Sequence, residues 1–237
     1  MLLYHRVGLP RLSSLVPGQY VTPMLLRAQL DYLAARGWFA TSLAQVVRGL
    51  AAGEPAAHSQ FAVTFDDAYR GVYERAYPIM VERGISATVF VVAGHIGGTN
   101  DWDTAAGDCR EPLMTAEQIR RMSDAGFEIG SHTMTHPRLT ELSDADLNRE
   151  LSDSKHVLED LIGREVVAFS YPYGAYDYRV LAAVEAAGYR CAVGTRLGAA
   201  GSSGVYEIPR INVRWNSLGP LLMRKINRAA AASAFVP

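Results

Sequence analysis

Cysteine is nearly missing from this chain. Only two of its 237 residues are cysteines, Cys109 and Cys191. They are far apart and show no Cys-x-x-Cys spacing, which excludes a disulfide framework and offers no thiolate metal motif; both are expected to be reduced. Long apolar runs are missing too: no stretch reaches the roughly 18 residues that a membrane-spanning helix requires. The opening Met-Leu-Leu-Tyr-His-Arg has no charged region, apolar core or small-residue cleavage site of a secretory leader. The expectation is a cytoplasmic location as written, with export only if a leader has been trimmed away. No charge of either sign is in excess. With 23 Lys+Arg against 24 Asp+Glu, the net charge is −1, so nucleic acid, which calls for a clustered basic surplus, is not an expected partner. Internal repeats, low-complexity tracts and linkers are absent. A hydrophobic content of 49% is ample for one core, and residues 1–237 are read as a single domain.

What the chain does have is a short apolar run, 61–65, that ends on two adjacent carboxylates, Asp66 and Asp67. Such a run reads as a buried strand. Acids at its C-terminal end fall where the open end of an α/β sheet or barrel binds ligands. Successive side chains on an extended segment diverge, so the two acids are expected to play different parts, one toward a metal and one toward a proton. A second polar cluster, His132 and His136, follows the apolar strand 127–129. Their spacing of four places both rings on one face if the segment makes a helical turn. Imidazole suits zinc and other late divalent metals, and two His plus one carboxylate leave positions open for water and substrate.

Strands are expected at 2–7, 38–40, 61–65, 87–92, 127–129, 166–169, 189–194 and 207–213. Helices are expected to open at Thr22-Pro23 (with Leu26, Leu30 and Leu33 on one face), at Thr41 or Ser42, near Val72, at the capping box Thr115–Gln118, at Ser143, at Asp177 and near Asn216. Residues 8–21, 51–60 and 95–110 read as loops, the last long enough to suggest function. Alternating strands and helices argue for a parallel sheet wrapped by helices. Seven or eight strands with every polar motif at a strand's C-terminal end suit a barrel.

Three motifs together, Thr64-Phe65-Asp66-Asp67, then 131–136 (Ser-His-Thr-Met-Thr-His), then 169–174 (Phe-Ser-Tyr-Pro-Tyr-Gly), resemble the polysaccharide deacetylases of carbohydrate esterase family 4, the NodB-homology enzymes. The resemblance runs over essentially the whole chain. It implies a distorted (β/α) barrel with seven or eight strands and a metal-dependent hydrolase that removes N-acetyl groups from an amino sugar or an N-acetylglucosamine-containing polysaccharide. It further implies Asp67, His132 and His136 as ligands of a divalent metal, with zinc the default and cobalt, nickel or iron able to take the same site. Asp66 would be the base that takes the proton of the attacking water, and the backbone N–H of Tyr173, after Pro172, would stabilise the oxyanion.

The chain departs from the family pattern in its late motifs. Many members carry a Leu-x-His near the C-terminus that protonates the leaving amine, but the last histidine here is His156. His5, in a Tyr-His signature similar to that of the poly-N-acetylglucosamine deacetylases, is the candidate to replace it; the alternative is a strand-end histidine bonded to backbone. His58, His95 and His156 read as ordinary exposed residues. Where many members have an Arg that holds the base, this chain has Ser170, and Arg210 on a late strand is the candidate substitute, because a guanidinium facing inward needs a carboxylate partner. The Asp- and Trp-containing motif of many members is not recognisable, and Trp215 lacks its pattern. Trp102, Tyr171, Tyr173 and Tyr176 are candidate sugar platforms, with Trp102, Tyr171 and Pro172 taken as substrate-binding. Competing readings are a deacylase of a small N-acylated metabolite, a non-catalytic carbohydrate-binding barrel, which would have no need of Asp66, and a two-His-one-carboxylate iron oxygenase.

Overall fold

The computed structural model describes residues 1–11, 13–53, 59–201 and 204–233. Seven strands form one all-parallel sheet: β1 (Leu2–Tyr4), β2 (Val63–Phe65), β3 (Thr88–Val91), β4 (Glu128–Ser131), β5 (Ala168–Ser170), β6 (Cys191–Val193) and β7 (Ile211–Asn212). Their spatial order is β6-β5-β4-β3-β2-β1-β7. Register is set by pairs such as Leu3 with Thr64 and Val89 with Ile129. The sheet curls until one late segment touches both edges. On one side, Ile208 N–H donates to Ala192 O at 3.0 Å and Gly194 N–H to Ile208 O at 2.9 Å. A few residues on, Ile211 N–H donates to Met1 O at 2.8 Å and Val213 N–H to Leu3 O at 2.9 Å. The result is the distorted (β/α) barrel that the family resemblance implies, built on the parallel sheet that the alternating pattern predicts.

Strand residues point alternately to the two faces, and the core divides accordingly. Outward residues of the sheet (Leu2, Val63, Val89, Ile129, Phe169) pack against helices α1 (Pro23–Ala34), α3 (Tyr77–Glu82), α5 (Ala116–Asp124), α6 (Asp144–Ile162), α7 (Tyr178–Ala186) and α8 (Gly219–Ser233). α1 contributes Leu26, Leu30 and Leu33, the stripe seen in the sequence. Alternate residues (Met1, Ala62, Phe90, Ala168, Cys191, Ile208) join Leu43 of α2 (Leu43–Ala51) in a smaller inner cluster. Burying each large apolar side chain is worth about 1.5–3 kcal/mol, and strands covered on both faces read as the continuous apolar runs observed. Gly130 is required here, because a Cβ would lie 2.5 Å from the Phe90 ring.

Helix ends follow local rules. Thr22 accepts from Leu25 N–H with Pro23 at the first position, Thr115 and Gln118 form the expected capping box, and Gly163 ends α6 in the left-handed region at φ 65°. Three expectations need correcting. The strand 2–7 breaks at His5: Leu2–Tyr4 joins the barrel, while Arg6–Val7 pairs with Tyr20–Val21, inside the expected loop 8–21. The helix expected from Val72 opens with a wide π-type turn, Val72–Ala76, in which Tyr77 N–H reaches Val72 O; Pro78 has no N–H to sustain the α pattern there. The loop 95–110 contains a short helix, α4 (Asp101–Ala105). Residues 54–58 of the expected loop 51–60 lie outside the described residues. Among those described, no helix is long and apolar enough to cross a membrane.

Candidate active site

The site forms at the C-terminal ends of β2, β4 and β5. Asp66 and Asp67 follow β2 directly. Asp66 N–H extends the β1–β2 ladder to Tyr4 O at 3.0 Å. The chain then turns through two left-handed residues, Asp67 (φ 69°) and Ala68 (φ 53°), so the two carboxylates leave in different directions.

Asp66 points to Arg210. The fully buried guanidinium donates to both carboxylate oxygens at 2.7 Å. It also donates to Gly194 O at 2.8 Å, Thr64 Oγ1 at 3.1 Å and Ser170 Oγ at 3.0 Å. Ser170 Oγ in turn lies 3.2 Å from Asp66 Oδ2. Burial by itself would raise the Asp66 carboxyl; the charge of Arg210, with His132 and His5 nearby, outweighs it and holds the group below the usual carboxylate range. Asp66 is therefore a fixed, ionised carboxylate.

Asp67 points to the histidines. Its Oδ1 lies 3.5 Å from His132 Nε2 and 3.4 Å from His136 Nε2, and one ligand atom from each residue falls within 4.8 Å of the others. The expected helical turn between the histidines is absent. Thr133 (φ 70°) and His136 (φ 62°) are left-handed instead, a rare state for a β-branched residue. Glu150 of α6 pins this loop by accepting from Met134 N–H (2.8 Å), Thr135 N–H (2.9 Å) and Thr135 Oγ1 (2.6 Å). His132 Nδ1 is 2.7 Å from Ser170 O, which makes Nδ1 the donor and leaves the Nε2 lone pair facing Asp67. Burial lowers both imidazoles, His136 further because His132 is close. Burial raises Asp67 well above its usual value, and the charges of Asp66 and Asp103 push the same way.

These residues fit a divalent cation. Asp67 Oδ1 is buried without a hydrogen-bond partner among the described residues. A carboxylate stripped of water and facing two neutral imidazole nitrogens is costly unless something positive joins them. A two-nitrogen, one-oxygen donor set suits zinc and other late divalent metals.

The remaining predicted residues fall into place unevenly. His5 lies at the end of β1, half-buried, with Nδ1 shielded and unpaired among the described residues. Burial lowers its pKa to about 4, against the pull of Asp66. Tyr173 sits at φ 60° in the turn Pro172–Gly174, largely exposed, with its ring edge-on to His136 at 4.7 Å and beneath the Arg138 guanidinium. Trp102 on α4 lies on the His136 ring at 4.6 Å. Tyr171 needs correction as a substrate contact. It is fully buried between Phe169 and Tyr176, and its hydroxyl donates to Tyr206 O at 3.0 Å. Tyr176 stacks on it rather than facing the site, and Pro172 is buried, shaping the turn that presents Tyr173. His95 is not an ordinary exposed residue: it is half-buried, edge-on to Trp102 at 5.3 Å. His156 is exposed on α6, and His58 lies outside the described residues.

Sequence reasoning missed Arg6, Asp103, Tyr69 and Glu150. The rule that singles out Arg210, a guanidinium in an apolar strand in need of a carboxylate, applies equally to Arg6. It is nearly fully buried and lies 2.7 Å from both Asp103 and Asp108.

A parallel barrel carrying these groups at its C-terminal mouth places the protein in the distorted (β/α) barrel class. The chain belongs to the polysaccharide deacetylase family, whose sequence model matches residues 53–192. That match takes in Asp66, Asp67, His132, His136 and Tyr173 and leaves His5 and Arg210 outside. Putative polysaccharide deacetylase YxkH of Bacillus subtilis is 33% identical over 152 residues, 64% of this chain and 50% of that protein. Poly-beta-1,6-N-acetyl-D-glucosamine N-deacetylase of Staphylococcus aureus is 26% identical over 172 residues, 68% of this chain and 57% of that one. The chain thus spans about half the length of the curated relatives it matches. Among solved structures, the Streptococcus pyogenes deacetylase PplD in complex with acetate superposes with a TM-score of 0.80 at 26% identity, over 94% of this chain and 96% of that one. IcaB from Ammonifex degensii shares the fold, with a TM-score of 0.79 at 23% identity over 94% of each chain.

Proposed function

We propose that this protein removes N-acetyl groups from an N-acetylglucosamine-containing polysaccharide or oligosaccharide, using a metal held by Asp67, His132 and His136. The observation that carries the reading is the division of labour between adjacent acids: Asp67 faces two imidazole nitrogens, while Asp66 is locked as a carboxylate by Arg210. A binding protein would have no use for the second arrangement. A metal held by these three residues, most simply zinc, would supply Lewis-acid polarisation of the amide and would acidify water. Asp66 takes the proton of the attacking water; being ionised throughout the neutral range, it is ready to accept it. Arg210 and Ser170 fix the direction of that carboxylate. The Tyr173 N–H, turned by its left-handed backbone, donates to the developing oxyanion. His5, neutral near pH 7 because burial lowers its pKa to about 4, passes the proton that Asp66 takes from water on to the departing amine, so that one proton leaves water and one reaches nitrogen. The exposed Tyr173 ring offers a flat apolar face to a sugar.

The test is acetate release from N-acetylglucosamine oligomers of several lengths, on wild type and Asp66→Asn, after chelation and after zinc or cobalt is restored. Release that needs the metal and collapses in the variant is expected. A metal-loaded protein that releases no acetate from any oligomer, but deacylates a small N-acyl metabolite, would remove the polysaccharide and keep the hydrolase.

A further inference from the structure

The two candidate histidine ligands are held in different ways. A metal-binding imidazole ordinarily donates its distal N–H to a carboxylate or carbonyl, which fixes the ring's orientation. His132 does so, through Nδ1 and Ser170 O at 2.7 Å. His136 does not: its Nδ1 is buried and finds no partner in any other described residue. Rings surround it instead. Trp102 lies over one face at 4.6 Å and 25°, and the Tyr173 and His132 rings meet it at 4.7 and 4.8 Å in edge arrangements. The His136 plane is therefore set by aromatic contact.

Trp102 can serve in this way only if its own place is fixed, and it rides on α4, a helix of five residues. One turn of helix does not hold itself together in water. Buried polar groups hold it from outside. Asp103 Oδ2 accepts from Arg6 Nη2 at 2.7 Å, Tyr69 Oη at 2.6 Å and Asn100 Nδ2 at 3.1 Å. Arg6 also lies 2.7 Å from Asp108, just beyond the helix. The fully buried Asn100 ties the segment before the helix to the one after it, through Cys109 O at 3.1 Å and Glu111 N at 2.7 Å. His95 closes on the Trp102 ring at 5.3 Å. Neighbours in sequence thus do different things: the charge of Asp66 acts on His5, and Arg6 anchors the wall that carries Trp102.

We propose that Trp102 is a positioning residue for the metal ligand His136, anchored by Arg6 through Asp103, and takes the part that Ser170 plays for His132. The proposal rests on the reading of Asp67, His132 and His136 as a metal triad. It gives Trp102 a role distinct from a sugar platform, since one face of its ring is already against His136.

The experiment measures zinc and cobalt affinity by competition with a chromophoric chelator, and the visible spectrum of the cobalt protein, for wild type, Trp102→Phe, Trp102→Leu and Asp103→Asn. Loss of an outer-shell partner of a ligand weakens metal binding about 10–100-fold. Trp102→Leu is expected to show that loss with an altered cobalt spectrum, Trp102→Phe to recover most of it, and Asp103→Asn to fall between. Should Trp102→Leu fail to fold, the other two variants carry the comparison. Wild-type metal affinity and spectrum in Trp102→Leu, with only a raised KM for oligomers, would overturn the proposal and return Trp102 to substrate binding. A wild-type protein that binds no metal would take down the triad itself, an outcome separable from failure of the aromatic support alone.

Discussion

Replacing Arg210 with Met retains an aliphatic stem and removes the guanidinium. Asp66, 2% exposed, then keeps one hydrogen bond, from Ser170 at 3.2 Å, in place of the two charge-assisted bonds it loses. Leaving one half of a buried ion pair costs about 3–5 kcal/mol, and that is the stability loss expected near neutral pH. The loss depends on pH with a definite sign. In the wild type the carboxyl is held below its unfolded value, so the ionised pair stabilises the fold above the ordinary carboxylate range. That contribution disappears only as acid drives the pH down through the lowered value. In the variant, burial is no longer outweighed and the carboxyl rises above its unfolded value. The variant then loses stability as pH rises through that raised value. Urea unfolding of chelator-treated protein at about pH 5, 7 and 9 should show the gap between the two widening toward alkali. Combining Arg210→Met with Asp66→Asn should recover part of the loss, with a coupling of roughly 2–3 kcal/mol. A gap below about 1 kcal/mol, or one that does not change with pH, would refute the assignment of Arg210 as the counter-charge of Asp66.

Asp66→Asn should retain one metal per chain while kcat falls about 10²–10⁴-fold; loss of metal along with activity would place Asp66 among the ligands. Metal uptake should release protons from Asp67, and fewer of them as pH rises, because burial and the charges of Asp66 and Asp103 raise its carboxyl. A pH indicator in weak buffer reads this directly, and release that grows with pH would contradict it. Gly71→Ala should destabilise by about 1–3 kcal/mol, since its Cβ would fall 2.3 Å from Val7 O. An unchanged urea midpoint would mean that this close approach relaxes freely.

Much of the barrel is legible because its signals are local. Apolar runs of strand length, capping residues such as Thr22 and Thr115, and acids or histidines just past a strand all lie within a few residues of one another. The candidate metal residues share this advantage, since each cluster sits on a single strand end. What was not legible depends on distant partners. Tyr171 reads as an exposed aromatic beside a motif, and only the packing of Phe169, Tyr176 and the Tyr206 carbonyl makes it core. The His132–His136 spacing suggests a helix, but Glu150, fourteen residues further along the chain from His136, stabilises a left-handed loop instead. The short helix carrying Trp102 has too little local propensity to be seen and exists through Arg6, nearly a hundred residues away.

The Asp66–Arg210 pair spans 144 positions of sequence, and the strand that follows Arg210 docks beside the first strand of the chain. At roughly 5–20 residues per second of synthesis, about 7–30 s separate the emergence of the acid from that of its counter-charge. During that interval the early strands can pair, but the polar layer at their mouth carries an unneutralised acid. Closure of the barrel and pairing of Asp66 with Arg210 are then one kinetic event. A nascent chain stalled before residue 210 would carry both proposed metal-binding motifs and still lack the counter-charge of Asp66.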